Sequence, residues 1–358
     1  MLSTAAPIKL RNVQALRAYG ALAVAFYHTN FTVAHGHFIG SYGVAIFFVI
    51  SGFIMAMICD TSPEHFLARR VARIVSLYWL LTFFIFIIGM LAPRLMGSTV
   101  VDALSLLKSL FFIPYTTNGT YFPILFLGWS LNYEMYFYIL IAAAQLIHKP
   151  SAALVASGFL AIVFVVIRLS GAGGSLMFYA QPIVFEFVLG VVCYYVFRVV
   201  PAQRAFAARW VLVLTASAAA LAMIAASLTT AGLTVLSLVG LASTVLVLSA
   251  VLLDKAGISF RWPFLILLGD ASYVLYLIHP YCIEALNKIL AHRYPILATN
   301  TLVGMPIALL VTVIASIWMY RFIDAPLHEF FRNLLSKPSR SPRIVVSKQS
   351  KHTQQETV

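Results

Sequence analysis

Acidic side chains are scarce in this sequence: eleven Asp and Glu stand against 24 Lys and Arg, and only 10% of 358 residues are charged. Soluble domains carry about 25% charge, so a water-soluble core under a solvated surface is excluded. Cysteine is nearly absent as well. Cys59, Cys193 and Cys282 stand singly in or beside apolar runs, which excludes a disulfide framework and any metal site of paired-cysteine spacing. No metal and no bound cofactor are expected. A net charge of +13 would suit nucleic acid, but the basic residues form short clusters between apolar runs and a C-terminal tail rather than one soluble face. Nucleic acid is therefore not an expected partner. Internal repeats are also lacking, and no cleavable leader pattern precedes Arg11, so the first apolar segment is expected to remain as a membrane helix.

What is abundant is hydrophobic surface, at 62% of residues. A bilayer is crossed by about 20 apolar residues in a helix, and such runs occur near 13–34, 38–59, 74–92, 123–147, 152–169, 177–198, 209–229, 232–253, 264–291 and 298–323. The expected fold is an all-α polytopic membrane protein of about ten transmembrane helices, over residues 1–330. A shorter apolar piece, Leu104 to Ile113, is broken by Pro114 and suits a loop at the membrane surface. Nineteen of the 24 lysines and arginines fall on the side of the N-terminus, so the positive-inside rule puts both termini in the cytoplasm. Residues 331–358 read as a basic, disordered cytoplasmic tail.

Ionisable groups inside a bilayer are costly and generally functional. The few here can be read singly. Arg17 and His28 lie eleven residues apart on the opening helix, about three turns and roughly 16 Å along its axis. Glu134, Glu186, Asp270 and Glu284 fall in or near other expected helices, and His279 precedes Pro280 inside another. Counting residues from the helix starts puts His28 and Glu134 at similar depth, where a carboxylate would orient the imidazole as a general base, and puts His279 farther out. Arg69, Arg70 and Arg73 open the third helix, a candidate anion site. Trp129, Tyr133 and Tyr136 offer aromatic and hydroxyl contacts. Gly52 suits a close helix crossing.

With these residues in view, the chain resembles the membrane-bound acyltransferase-3 family, whose members O-acylate sugars of surface polysaccharides and related acceptors. Arg17 and His28 match the family's Arg-x10-His signature. Gly43 to Phe53, Phe66 to Arg73, Trp129 to Glu134, Glu186 to Gly190 and Gly269 to His279 match further motifs in order, the sixth-helix motif looking most like the exopolysaccharide-modifying branch. Ala45 departs from the aspartate common in the family.

The resemblance implies a bacterial inner-membrane enzyme moving an acyl group, acetyl by default, from cytoplasmic acyl-CoA to a hydroxyl of a surface or lipid-linked carbohydrate. On that reading Arg17, Arg69, Arg70 and Arg73 bind the donor, and His28 with Glu134 is catalytic. Trp129, Tyr133, Tyr136, Glu186, Asp270 and His279 serve the acceptor or the polar core. The rival readings are a secondary transporter of a lipid-linked glycan relaying protons through His28, Glu134 and Glu186, and a scaffold in polysaccharide assembly with lapsed chemistry.

Overall fold

The computed structural model describes residues 10–29, 40–95, 101–116, 119–228, 233–294 and 301–335. In chain order the helices are α1 (Arg11–Tyr27), α2 (Gly43–Thr61), α3 (Phe66–Leu91), the short α4 (Ala103–Leu110), α5 (Gly128–Ala144), α6 (Ala152–Ser170), α7 (Leu176–Tyr179), α8 (Phe185–Val199), α9 (Ala202–Ala207), α10 (Arg209–Ser227), α11 (Leu233–Lys255), α12 (Pro263–Asp270), α13 (Ser272–Arg293), α14 (Thr301–Met319) and α15 (Ala325–Leu335). Helix is forced here: a bilayer offers the backbone no hydrogen-bond partners, so each span must satisfy its own.

Among the described residues seven helices are long and apolar enough to cross a bilayer, and an eighth span is gained if α12 and α13 count as one. The expected ten is reached only by adding α1 and α5, 17 residues each. The run 264–291 is not one straight helix, because α12 and α13 meet at an angle of 75°. The bend falls at Ala271, not at Pro280, through which α13 continues. The expected tail boundary at residue 330 lies inside α15, and residues beyond 335 are outside the described chain. The Leu104 region is a helix, not a loop. Asp102 caps it, accepting from the Ser105 N–H at 2.8 Å, and the Ser105 amide and hydroxyl hold that carboxyl below its ordinary range.

Large apolar side chains such as Phe84, Leu91, Trp210 and Leu214 point outward, the reverse of a soluble protein and the surface a lipid phase accepts. Helices are joined where small residues let backbones meet. A Cβ on Gly52 would lie 2.1 Å from the Phe187 carbonyl oxygen, and one on Gly190 would lie 2.1 Å from that of Val49. The α2–α8 crossing therefore requires both glycines, as the sequence suggested for Gly52.

Polar clamps tie the basic end together. The Asp254 carboxylate accepts the Asn12 N–H at 2.9 and 3.1 Å, capping α1 from another helix. The Asn12 side-chain amide donates to Ile258 and Ala250, and its oxygen accepts from the Phe260 N–H at 2.9 Å. Arg73 pairs with Asp324 at 2.8 Å, folding the chain after α14 back onto α3 through a π-helical turn, Tyr320–Asp324. Both ends of the described chain thus lie at the basic end of the bundle.

Candidate active site

His28 is the residue that ends α1, not a position inside a longer helix. Its partner is His279, not Glu134. His279 Nε2 lies 3.1 Å from His28 Nδ1, the two rings 4.9 Å apart. His279 Nδ1 lies 3.1 Å from the Leu275 carbonyl oxygen, and His28 Nδ1 lies 2.9 Å from that of Val24. Each Nδ1 faces a carbonyl, which accepts only, so in the neutral pair each Nδ1 carries the proton. His279 then offers the lone pair of Nε2 to His28, and the lone pair of His28 is left on Nε2. No described residue hydrogen-bonds that atom. His279 is fully buried, whereas His28 is partly open. The arrangement is a base oriented by a second group.

Glu134 faces elsewhere. It accepts hydrogen bonds from the Ser51 hydroxyl at 3.1 Å and, more closely, from the Tyr138 hydroxyl. Ser130, one turn earlier on α5, is bonded to the Tyr276 hydroxyl at 2.7 Å, and Tyr276 is one turn before His279. Glu134 is thus about two turns, roughly 10 Å, nearer the basic end than the histidine pair. The pairing expected between Glu134 and His28 is overturned because α5 starts at Gly128, with Ile124, Leu125 and Leu127 of the preceding loop already buried.

Glu134 lines a cavity of about 140 Å³ together with Arg17, Ser51, Arg70, Arg73 and Tyr138, and Ser130 and Tyr276 line its far side. A second cavity, about 370 Å³, opens at the basic end between Arg17, Arg73, Asp270, His328, Glu329 and Arg332. Arg17 and Arg73 belong to both walls, so the two spaces follow one another. Asp270 belongs to this basic mouth.

The three arginines of α3 do not form one cluster. Arg69 donates to the Ser62 carbonyl, outside both cavities. Arg73 is held by Asp324 and stacks over Tyr273, 5.3 Å from the ring centre. Arg70 lines the inner cavity, its buried Nε without a hydrogen-bond partner among the described residues. The reason is helical geometry: positions 69 and 73 share a side, yet their nearest acceptors, Ser62 and Asp324, come from different elements.

The expected aromatic contacts are also placed differently. Tyr133 is buried and stacked on Phe178 at 3.9 Å, and Tyr136 packs on Tyr179 at 4.7 Å. Trp129 meets Tyr133 edge-on at 6.1 Å. Among the described residues none of these three rings touches His28. Glu186 is buried in α8 beside Gly240 of α11, with Oε2 unpartnered among the described residues, and lines neither cavity. It is outside the polar interior assigned to it. Ser51, Tyr138, Tyr276 and Asp324 are the site residues that sequence reasoning missed. Helical spacing was a signal for two of them: Tyr138 is four residues after Glu134, and Tyr276 three before His279.

Residues 10–321 match the family model described as an acyltransferase domain, acyltransferase family 3. The chain is 34% identical over 272 residues to the exopolysaccharide production protein ExoZ of Rhizobium meliloti (strain 1021), covering 73% of this chain and 82% of that protein. It is 32% identical over 142 residues to the putative peptidoglycan O-acetyltransferase YrhL of Bacillus subtilis (strain 168), covering 35% of this chain and 22% of that protein. No solved structure matches. Because that family model spans the helical bundle from residue 10 to residue 321, the chain belongs to the acyltransferase-3 family of membrane acyltransferases.

Proposed function

We propose that the protein transfers an acyl group, acetyl by default, from acyl-CoA to a hydroxyl of a surface or lipid-linked carbohydrate, with His28 as the base. The observation that carries this reading is the fixing of His28 Nδ1 by the Val24 carbonyl and His279, which leaves Nε2 with no hydrogen-bond partner among the described residues. The relatives' names, exopolysaccharide production and peptidoglycan O-acetylation, supply the class of acceptor.

The donor enters at the basic end, which faces the cytoplasm in this reading, as the excess of lysine and arginine there supports; the membrane is read as a bacterial inner membrane. Its phosphates meet Arg332 and the shared guanidinium groups of Arg17 and Arg73. The thioester arm lies along Arg17, Arg70 and Glu134. Its acyl end reaches the histidine pair past the Tyr276 ring, whose hydroxyl is tied to Ser130. His28 Nε2 takes the proton of the acceptor hydroxyl as the oxygen attacks the thioester carbon. The positive charge on the ring is stabilised by the Val24 carbonyl and the His279 lone pair. The tetrahedral intermediate then expels the CoA thiolate, which recovers the proton from His28, leaving ester and thiol. Glu134 serves the donor cavity, not the base.

The test is the purified protein in liposomes with radiolabelled acetyl-CoA and a carbohydrate acceptor. Label in the glycan as a base-labile ester, lost in His28→Ala at unchanged detergent monodispersity, is the expected result. Normal transfer by His28→Ala overturns it.

A further inference from the structure

The outer side of His28 carries a feature that the donor route does not use. Phe126, in the loop before α5, meets the His28 ring edge-on at 5.8 Å. The same ring meets Tyr281 at 6.4 Å and Phe122 at 5.7 Å. Tyr281 lies on α13 two residues beyond His279, and Glu284 follows it by three, on the same side of that helix. Phe122 and Glu284 are exposed, whereas Phe126 and Tyr281 are partly open. The Glu284 carboxylate is paired to Lys288 at 2.7 Å and 59% exposed, so it retains free acceptor capacity.

Aromatic residues gather at membrane interfaces in any polytopic protein. Two observations separate this group from an ordinary belt. Its central ring is packed on His28, whose Nε2 hydrogen-bonds no described residue, and its edge carries the Glu284–Lys288 ion pair. Apolar faces with a few placed polar groups are the usual make-up of a small-ligand site. The C–H faces of a sugar ring fit aromatic surfaces, and its hydroxyls donate to carboxylates.

We infer that Phe122, Phe126, Tyr281 and Glu284 form the acceptor subsite, holding a carbohydrate ring so that one hydroxyl reaches His28 Nε2. This rests on the acyl-transfer reading above. It assigns the acceptor to a different set of rings from Trp129, Tyr133 and Tyr136, which are occupied with Phe178 and Tyr179.

The experiment uses the full-length protein in lipid nanodiscs and, as probe, de-esterified oligosaccharide released from the host's own surface polysaccharide. Phe122→Ala and Glu284→Gln alter exposed side chains, so folding is retained. Glycan binding and acceptor KM are expected to weaken at least fivefold in each, with the donor KM for acetyl-CoA unchanged. Acyl transfer by both variants with unaltered glycan affinity and acceptor KM overturns the subsite, returns the rings to lipid, and leaves the acyl-transfer reading standing. Glycan binding that depends on Phe122 and Glu284, in a wild-type protein that transfers no label, keeps the subsite and overturns the acyl-transfer reading.

Discussion

His279 Nε2 stands 3.1 Å from His28 Nδ1, and the other nitrogen of His279 is committed to the Leu275 carbonyl. His279 is therefore an orienting acceptor, not a second base. His28→Ala should lower transfer by about 10²–10⁴-fold, the range for loss of a general base. His279→Ala should cost about 10²-fold through misplacement of the ring. His279→Gln, whose side-chain oxygen can accept the same hydrogen bond, should recover part of that loss. Single-turnover rates with labelled acetyl-CoA measure all three, and a rate for His279→Gln equal to that for His279→Ala would remove the orienting role.

Glu134 accepts two hydroxyl hydrogen bonds inside the donor cavity. Glu134→Gln should raise the donor KM about tenfold, in line with hydrogen bonds to a charged group at ~1.5 kcal/mol, and leave kcat nearly unchanged. A fall in kcat with unchanged KM would restore Glu134 as the partner of the base.

The arginines of α3 should separate by assay. Arg70→Gln should raise the donor KM, whereas Arg69→Gln should not. Arg73→Gln should chiefly destabilise, because Asp324 is fully buried and would be left alone. Breaking a buried pair costs about 3–5 kcal/mol, and a partly exposed Arg73 puts this one at the lower end. The double variant with Asp324→Asn should regain stability in detergent thermal unfolding. No recovery would show that the pair is not what holds the turn after α14.

The glycines give a paired test of packing. Gly190→Ala places a Cβ 2.1 Å from a backbone carbonyl, so α2 and α8 must part, and monodisperse protein should be lost. Gly158, inside α6 with nothing within 4 Å of an added Cβ, should gain up to about 1 kcal/mol on substitution by alanine. Size-exclusion profiles and melting temperatures check both. A monodisperse Gly190→Ala would show that the crossing can loosen.

What was legible in the sequence follows from local chemistry. Long apolar runs become helices because lipid leaves the backbone no alternative. Arg17, His28 and His279 stood out because an ionisable group within such a run is rare. Gly52 was legible because only a small residue allows two backbones to touch. These inferences need one segment at a time.

Pairing between segments was decided elsewhere. Residue counting sets depth to within a turn or two, about 5 Å each, and that error is larger than the reach of a hydrogen bond. It was enough to give His28 the wrong partner, to gather Arg69, Arg70 and Arg73 into one site, and to hide Asp324 in a connection. The sequence by itself determined a helical membrane bundle with a basic end and a handful of buried polar groups. Only the tertiary structure decided which of them meet, because the buried loop before Gly128 and the bend at Ala271 shift whole helices along the bundle axis, and a contact of 3 Å depends on where each shift ends.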